Sequence, residues 1–275
     1  MEVHLIYLLE ERADLLYYTF EPLNKYRGLV HGFSTRKGGT SLPPYDTLNM
    51  GFHVNDEKTF VLENRKRFVN ALGYSLENAV AVEQVHGNKV VVVNETCKGK
   101  GMVDYEDFLA EADGMITNKQ GILLTTYYAD CVPLYFFDPQ TGAVGIAHAG
   151  WKGTMLKIGA EVVSKLQKNF GVEPKNCIAV IGPSIGPCCY EVDDKVLQPM
   201  EKAYTNLSSI VRQEKQRTFL NLWKANSISL QESGLKDVNI YVSKLCTCCS
   251  QEYFFSHRRD KGHTGRMAAV IGISG

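Results

Sequence analysis

The chain has 275 residues, 44% hydrophobic and 22% charged, and its 30 basic side chains balance 30 acidic ones. That composition excludes disorder and fibrous repeats, and a chain of this length buries a core without needing metal or disulfide staples. It also lacks the basic excess of a generic nucleic-acid or membrane-surface binder. No apolar run approaches the ~18 residues that span a bilayer. Glu2 stands where a secretory signal carries positive charge, so the chain reads as cytosolic. Its eight cysteines are too sparse for a disulfide scaffold. In a reducing compartment they read as core filler, metal ligands or nucleophiles.

Lys37 to Pro44 is a loop by composition. Phe60, Val61, Asn64, Phe68 and Leu72 fall at helical spacing after a capping Asp56, and Gly73 ends that helix. Ala79 to Val85 and Val90 to Val93 read as strands joined by His86-Gly87-Asn88-Lys89, a hairpin or tight bend with His86 at its rim. Ile122 to Asp138 is strand-like, Pro139 to Gly142 is a turn, and Ala143 to Ala147 resumes as a strand. Gly150-Trp151-Lys152-Gly153 breaks it, and an amphipathic helix is predicted over Thr154 to Phe170, ended by Gly171. A strand from Cys177 to Ile181 runs into the loop Gly182 to Cys189. Helices over Asp193 to Tyr204 and Leu222 to Ser233, then strands over Val238 to Leu245 and Met267 to Ile273, complete the chain. Hairpins mixed with helices, without strict βαβ alternation, point to α+β. No internal boundary shows, so residues 1–275 read as one domain.

The segment from Ile122 to Ala147 carries a geometric argument. If Asp138 pairs with Ala143 across the turn, Pro133 lies opposite His148. Side chains alternate along a strand, so Cys131 shares a face with Pro133 and becomes the diagonal neighbour of His148. A thiol and an imidazole so placed are half of a zinc site or a Cys–His dyad. Pro133 cannot donate to a ladder and hints at a bulge or an edge. His86, at a strand end before a glycine, is the natural third member, although alone it reads as an ordinary surface histidine.

Five stretches, in order, resemble the YfiH/YlmD family: Glu83 to Gly87, Ala129 to Leu134, Ala147 to Thr154, Ile181 to Val192, and Phe255 to Asp260 with Thr264-Gly265-Arg266. The resemblance runs from about residue 30 to the C-terminus. It implies a layered α/β/β/α sandwich with mixed, largely antiparallel sheets. It also implies a metal held by His86, Cys131 and His148. Members of the family were long described as laccase-like polyphenol oxidases and are now associated with phosphorolysis of purine nucleosides and methylthioadenosine and with adenosine deamination. The implied substrates are purine nucleosides and inorganic phosphate, handled by a cytoplasmic monomer or small homo-oligomer. Zinc is the implied metal, with copper belonging to the older description. A copper-dependent polyphenol oxidase and a metal-free Cys–His hydrolase are the alternatives.

Three protein ligands and an open position are the arrangement of catalytic zinc, which brings bound water to a pKa of about 7. Deamination by zinc enzymes adds a carboxylate proton shuttle; Asp130 is the candidate by proximity, though strand alternation turns it away from Cys131. Phosphorolysis needs an anion pocket, for which Arg36 comes first and Arg259 second. The alternative for each is a structural ion pair, with Asp46 or Asp260. The segment Cys246-Thr247-Cys248-Cys249 carries one cysteine more than the family pattern. Its C-x-x-C spacing suits zinc, yet no second pair is spaced as a zinc ribbon requires. His257 stands where relatives often have tyrosine, and His263 lies in an enlarged turn; neither is taken as a ligand.

Overall fold

A computed structural model describes residues 5–275, so the reading of Glu2 lies outside the described residues. The chain opens with strands β1 (Tyr7–Arg12) and β2 (Leu15–Phe20), a short helix α1 (Glu21–Asn24) and strand β3 (Leu29–Ser34). Sequence reading missed β1 and β2 because their two-residue turn, Ala13-Asp14, has positive φ at both positions without glycine or asparagine. Helix α2 (Lys58–Ala71) is the expected one, ending before Gly73 at φ 81. Then come β4 (Ala79–Ala81), β5 (Val90–Val92), β6 (Gly114–Thr117), β7 (Ile122–Tyr128), β8 (Val132–Phe137) and β9 (Val144–Ala149). Helices α3 (Trp151–Met155) and α4 (Ile158–Phe170), β10 (Ile178–Ile181), β11 (Glu191–Val192) and α5 (Asp194–Ala203) follow. Strands β12 (Val211–Glu214) and β13 (Arg217–Leu220), helix α6 (Leu222–Glu232), β14 (Ile240–Val242) and β15 (Met267–Ile273) close the chain.

Two mixed six-stranded sheets form, in the orders β1-β2-β3-β15-β7-β4 and β14-β10-β8-β9-β6-β5, with a small sheet β11-β13-β12 beside them. Most pairings are antiparallel; β4 with β7, β5 with β6 and β10 with β14 are parallel. Alternation along the central strands explains the layering. Leu124 and Tyr128 of β7 meet Tyr135 of β8 and Ile146 of β9 between the sheets. On the opposite faces, Leu123 and Tyr127 pack on Phe68 and Val69 of α2, while Leu134 and Ala147 pack on Val162 and Leu166 of α4. The architecture is therefore α+β with the order helix, sheet, sheet, helix. No described helix is long and apolar enough to cross a membrane.

The predicted hairpin of β8 and β9 forms in the expected register, with Pro133 opposite His148 and the Asp138 N–H bonded to the Ala143 carbonyl. Pro133 makes neither bulge nor edge. Its missing donor falls where the ladder with β10 has ended, while its carbonyl accepts from the Gly182 N–H at 2.9 Å. Other expectations need correction. The segments around His86 are not a hairpin: β4 belongs to one large sheet and β5 to the other, so His86 lies on the crossover between them. Ile122 to Asp138 likewise changes sheet at Ala129 to Cys131, with Asp130 at φ 86. The predicted helix over Thr154 to Phe170 breaks at Lys157, φ 55, and the expected breaker Trp151-Lys152-Gly153 is itself helical. Close packing calls for glycine at 153, where a Cβ would stand only 3.2 Å from the Gly87 and His148 carbonyl oxygens.

Candidate metal centre and ligand cavity

Both crossovers end at the same place, the mouth of the layer between the two large sheets. His148 points into that layer from β9, on the face of Ile146, and its ring lies 5.4 Å from that of Tyr128. Cys131 faces the same layer from the entry to β8, and His86 comes over from the β4–β5 crossover. Their ligand atoms all lie within 4.8 Å of one another, with His148 buried, Cys131 half-buried and His86 exposed. The alternation argument thus placed the Cys131–His148 pair, and the tertiary fold adds His86.

Asp113, fully buried just before β6, organises this cluster and was missed at the sequence level. Its carboxylate accepts from the backbone N–H of Val85 (3.3 Å), His86 (3.0 Å) and Gly87 (2.6 Å), and bonds His148 Nδ1 at 2.8 Å. His86 can therefore hold its left-handed φ of 61, a conformation that costs about 1 kcal/mol or more unless its surroundings enforce it. With Nδ1 engaged, His148 presents Nε2 to the cluster, the outer-shell pattern that fixes tautomer and ring direction. Gly150 closes the back: a Cβ there would sit 3.0 Å from Cys131 Sγ and 3.2 Å from His86 Cδ2.

The electrostatics match. Burial opposes ionisation of the Cys131 thiol, but the two facing imidazoles, His148 foremost, outweigh it and bring the thiol down to about 6. Burial likewise disfavours charge on His148, yet the Cys131 thiolate and the Asp113 carboxylate lift it to about 9. Each group thus favours the charged form of the other, and the thiolate is the form that binds a metal ion.

The cluster opens on a cavity of about 400 Å³. Tyr127, Phe108, Tyr105 and Tyr190 supply aromatic walls, and Arg65, Arg258 and Arg266 line it with His53 and His257. Arg65 is buried, clasped between Phe52 and Tyr127 at 3.9 and 4.2 Å, and it donates to the carbonyls of Met50, Gly101 and Met102. Arg258 donates to the Glu191 carbonyl, and Arg266 to those of Thr264 and Gly265. Among the described residues none of these guanidinium groups has a carboxylate partner within the 4.0 Å of an ion pair. His53 is exposed, and desolvation by the cavity walls, then Arg266 and Arg65, push its pKa down and favour its neutral form.

The two arginines singled out from sequence are elsewhere. Arg36 pairs with Asp46 at 3.1 Å, and Arg259 with Asp260 at 2.8 Å, so both are structural and neither lines the cavity. The arginines that do line the cavity, Arg258 and Arg266, come from the Ser-His-Arg-Arg-Asp and Thr-Gly-Arg segments. Asp130 borders the cavity, but Thr247 Oγ1 (2.6 Å), Ser256 Oγ (3.0 Å) and the Arg258 N–H (2.7 Å) already occupy its carboxylate. It fastens the β14–β15 connection to the entry of β8 rather than standing free as a proton shuttle.

Fold and site together define a layered α+β protein with a thiolate–imidazole cluster at the end of its inter-sheet layer, facing a basic, aromatic cavity. The chain belongs to the family whose model, described as multi-copper polyphenol oxidoreductase laccase, matches residues 30–274. It is 42% identical over 249 residues to the purine nucleoside phosphorylase YlmD of Geobacillus stearothermophilus, covering 90% of this chain and 91% of that one. The crystal structure of that YlmD superposes with a TM-score of 0.91 over 98% of this chain and 100% of the other, at 38% identity. The hypothetical protein YfiH of Bacillus licheniformis superposes with a TM-score of 0.92 over 98% and 99%, also at 38% identity. The resemblance read from the five motifs is thereby established as membership of the YfiH/YlmD family.

Proposed function

We propose that this chain is a zinc-dependent purine nucleoside phosphorylase, acting on adenosine, inosine, guanosine and methylthioadenosine, with adenosine deamination as a second activity. The observation that carries the reading is the joint presence, in one cavity of about 400 Å³, of a three-donor cluster, flat aromatic walls and arginines without acid partners. A pocket of that size suits a nucleoside-sized ligand. Arg65 is buried, Arg266 half-buried and Arg258 exposed, and with no acid partner their planar forks are matched to phosphate. The name carried by the YlmD relative agrees with both.

The donor set fits zinc: two imidazoles and a lowered-pKa thiol within 4.8 Å, one imidazole fixed by Asp113, and a glycine where any Cβ would crowd the donors. Zinc held by His86, Cys131 and His148 would supply a Lewis acid with an open position for substrate or water. The chain's own residues account for the rest. Tyr127, Phe108 and Tyr190 offer π-faces to the purine, and Arg65, Arg258 and Arg266 hold phosphate against the ribose. In phosphorolysis a phosphate oxygen forms the bond to C1′ as the bond from C1′ to the purine nitrogen breaks, its electron pair leaving with the base. Holding both reactants in place removes much of the entropic barrier, and closing them away from water favours phosphorolysis over hydrolysis. Neutral His53 can hydrogen-bond a hydroxyl or phosphate oxygen without adding charge.

Copper-dependent phenol oxidation, the chemistry named by the family description, receives less support from the donors. The cavity gathers a single three-donor set, fewer ligands than a multi-copper oxygen-reducing centre requires. The test is turnover of nucleosides by pure, metal-replete protein with and without inorganic phosphate. Release of base and ribose 1-phosphate that needs phosphate and vanishes in His148→Ala is expected. Arg266→Met should raise the KM for phosphate by roughly 10- to 100-fold, the loss of one charge-assisted hydrogen bond. Base release no greater than that of the His148→Ala control, or activity that follows added copper and ignores phosphate, would overturn the reading.

A further inference from the structure

A second cluster lies outside the cavity. The sequence offered a C-x-x-C pair, Cys246 and Cys249, with no matching second pair. The fold supplies one: the loop after β10 turns Cys188 and Cys189 onto the loop after β14, and the four sulfurs all lie within 4.8 Å of one another. Cys249 Sγ is 3.3 Å from Cys189 Sγ and 3.5 Å from Cys188 Sγ. A zinc tetrahedron with Zn–S bonds of 2.3 Å has edges of about 3.8 Å, so the cluster already has nearly the size the ion requires. Core packing does not explain it, because Cys188 and Cys249 are exposed and Cys189 is half-buried. Surroundings for bound thiolates are in place. The Gly186 N–H points at Cys246 Sγ at 3.3 Å, and Arg212 donates to the Pro187 carbonyl beside Cys188. Gly186 has no room for a side chain, since a Cβ would stand 2.7 Å from Trp223 and 3.1 Å from Cys188 Sγ.

We propose that Cys188, Cys189, Cys246 and Cys249 form a structural zinc site. Four thiolate ligands leave no open position, so the ion clamps and does not catalyse. As each thiol ligates, its proton passes to solvent, leaving a centre of net charge −2 toward which the Gly186 N–H dipole points. The clamp joins two loops that matter to the cavity. One carries Ile185 and Tyr190, the other leads to Arg258, and between them Thr247 donates to Asp130 and its N–H bonds the Ser184 carbonyl. This inference stands apart from the nucleoside reading and is tested without measuring activity.

The experiment removes the cavity donors first. A His86→Ala, Cys131→Ser, His148→Ala protein, purified without added metal, should carry about one zinc per chain by elemental analysis. Adding Cys246→Ser and Cys249→Ser should bring that to about a tenth or less. Because the larger variant can fail to fold, the single exposed substitution Cys188→Ser in the otherwise intact chain gives a second reading. Cobalt titration should show the charge-transfer intensity of four thiolates in the triple variant, and an absorption diminished by one thiolate in Cys188→Ser relative to the intact chain. Alkylation should spare these four cysteines until a chelator is added. A zinc-free triple variant with no tetrathiolate cobalt spectrum, or peptide mapping that finds the four cysteines as disulfides in freshly purified protein, would overturn the proposal.

Discussion

The described residues hold two sulfur-bearing clusters, and they differ in what supports them. Cys131 and His148 sit at neighbouring strands of one six-stranded sheet and His86 on the crossover from the other, backed by a fully buried Asp113 and facing a cavity. The four cysteines sit on two loops, Cys188 and Cys249 exposed and Cys246 buried, with the Gly186 N–H directed at Cys246 and no buried carboxylate behind them. Three donors on a rigid frame leave a vacancy for a reactant, whereas four donors on loops close the shell and lend those loops the rigidity they lack. Donor number and backing, rather than the presence of cysteine, separate the proposed chemical site from the proposed clamp.

The sharpest way to break this contrast is His148→Ala. It should lower phosphate-dependent base release by roughly 10³-fold or more, beyond the effect of any outer-shell change, while zinc at the four cysteines stays bound. Equal loss of metal from both clusters would show that they are not independent. Next comes Asp113→Asn, which keeps shape but removes the charge shared by His148 and the 85–87 backbone. Zinc affinity at the cavity should fall about 10- to 100-fold, read by competition with a chelator. Gly150→Ala tests the fit more gently. The Cβ placed 3.0 Å from Cys131 Sγ should cost about 1–3 kcal/mol, seen as a lower urea midpoint together with weaker zinc binding.

The smallest effect concerns histidine backing. His148, with two anionic neighbours, is lifted to about 9, whereas His31 is buried and its pKa falls to about 4. Burial is the cause for His31, whose Nε2 accepts the Phe20 N–H and whose Nδ1 has no partner. The unfolded chain takes up this proton near pH 6.5 and the folded chain only near pH 4, so stability is lost on acidification through that window. The slope is at most about 1.4 kcal/mol per pH unit for this one residue. Urea unfolding at pH 7, 6 and 5 should show the decline, and His31→Asn should flatten it; an unchanged slope in the variant would remove His31 as the cause.

Local pattern carried the sequence reading a definite distance. Alternation and the turn at Pro139 to Gly142 set the β8–β9 register, and with it the approach of Cys131 to His148. Helix α2 was legible from its 3.6-residue period and Gly73. Strands β1 and β2 were not, because the Ala13-Asp14 turn carries left-handed φ at both positions with no glycine or asparagine to announce it. The crossover at His86 looked like a hairpin, because a short Gly-Asn connector reads alike whether its strands pair or part into different sheets.

What the chain determined by itself was the set of motifs, the core-facing stripes and one hairpin register, since these depend on neighbours a few residues apart. The tertiary structure alone decided which arginine meets an acid and which faces the cavity: Arg259 lies next to its Asp260, while Arg258, one residue earlier, has none. It alone brought Asp113 under His86 and His148, and Cys188-Cys189 onto Cys246 and Cys249. A charge or a thiol acquires its role from the groups within a few ångströms of it, and folding draws those groups from distant parts of the chain.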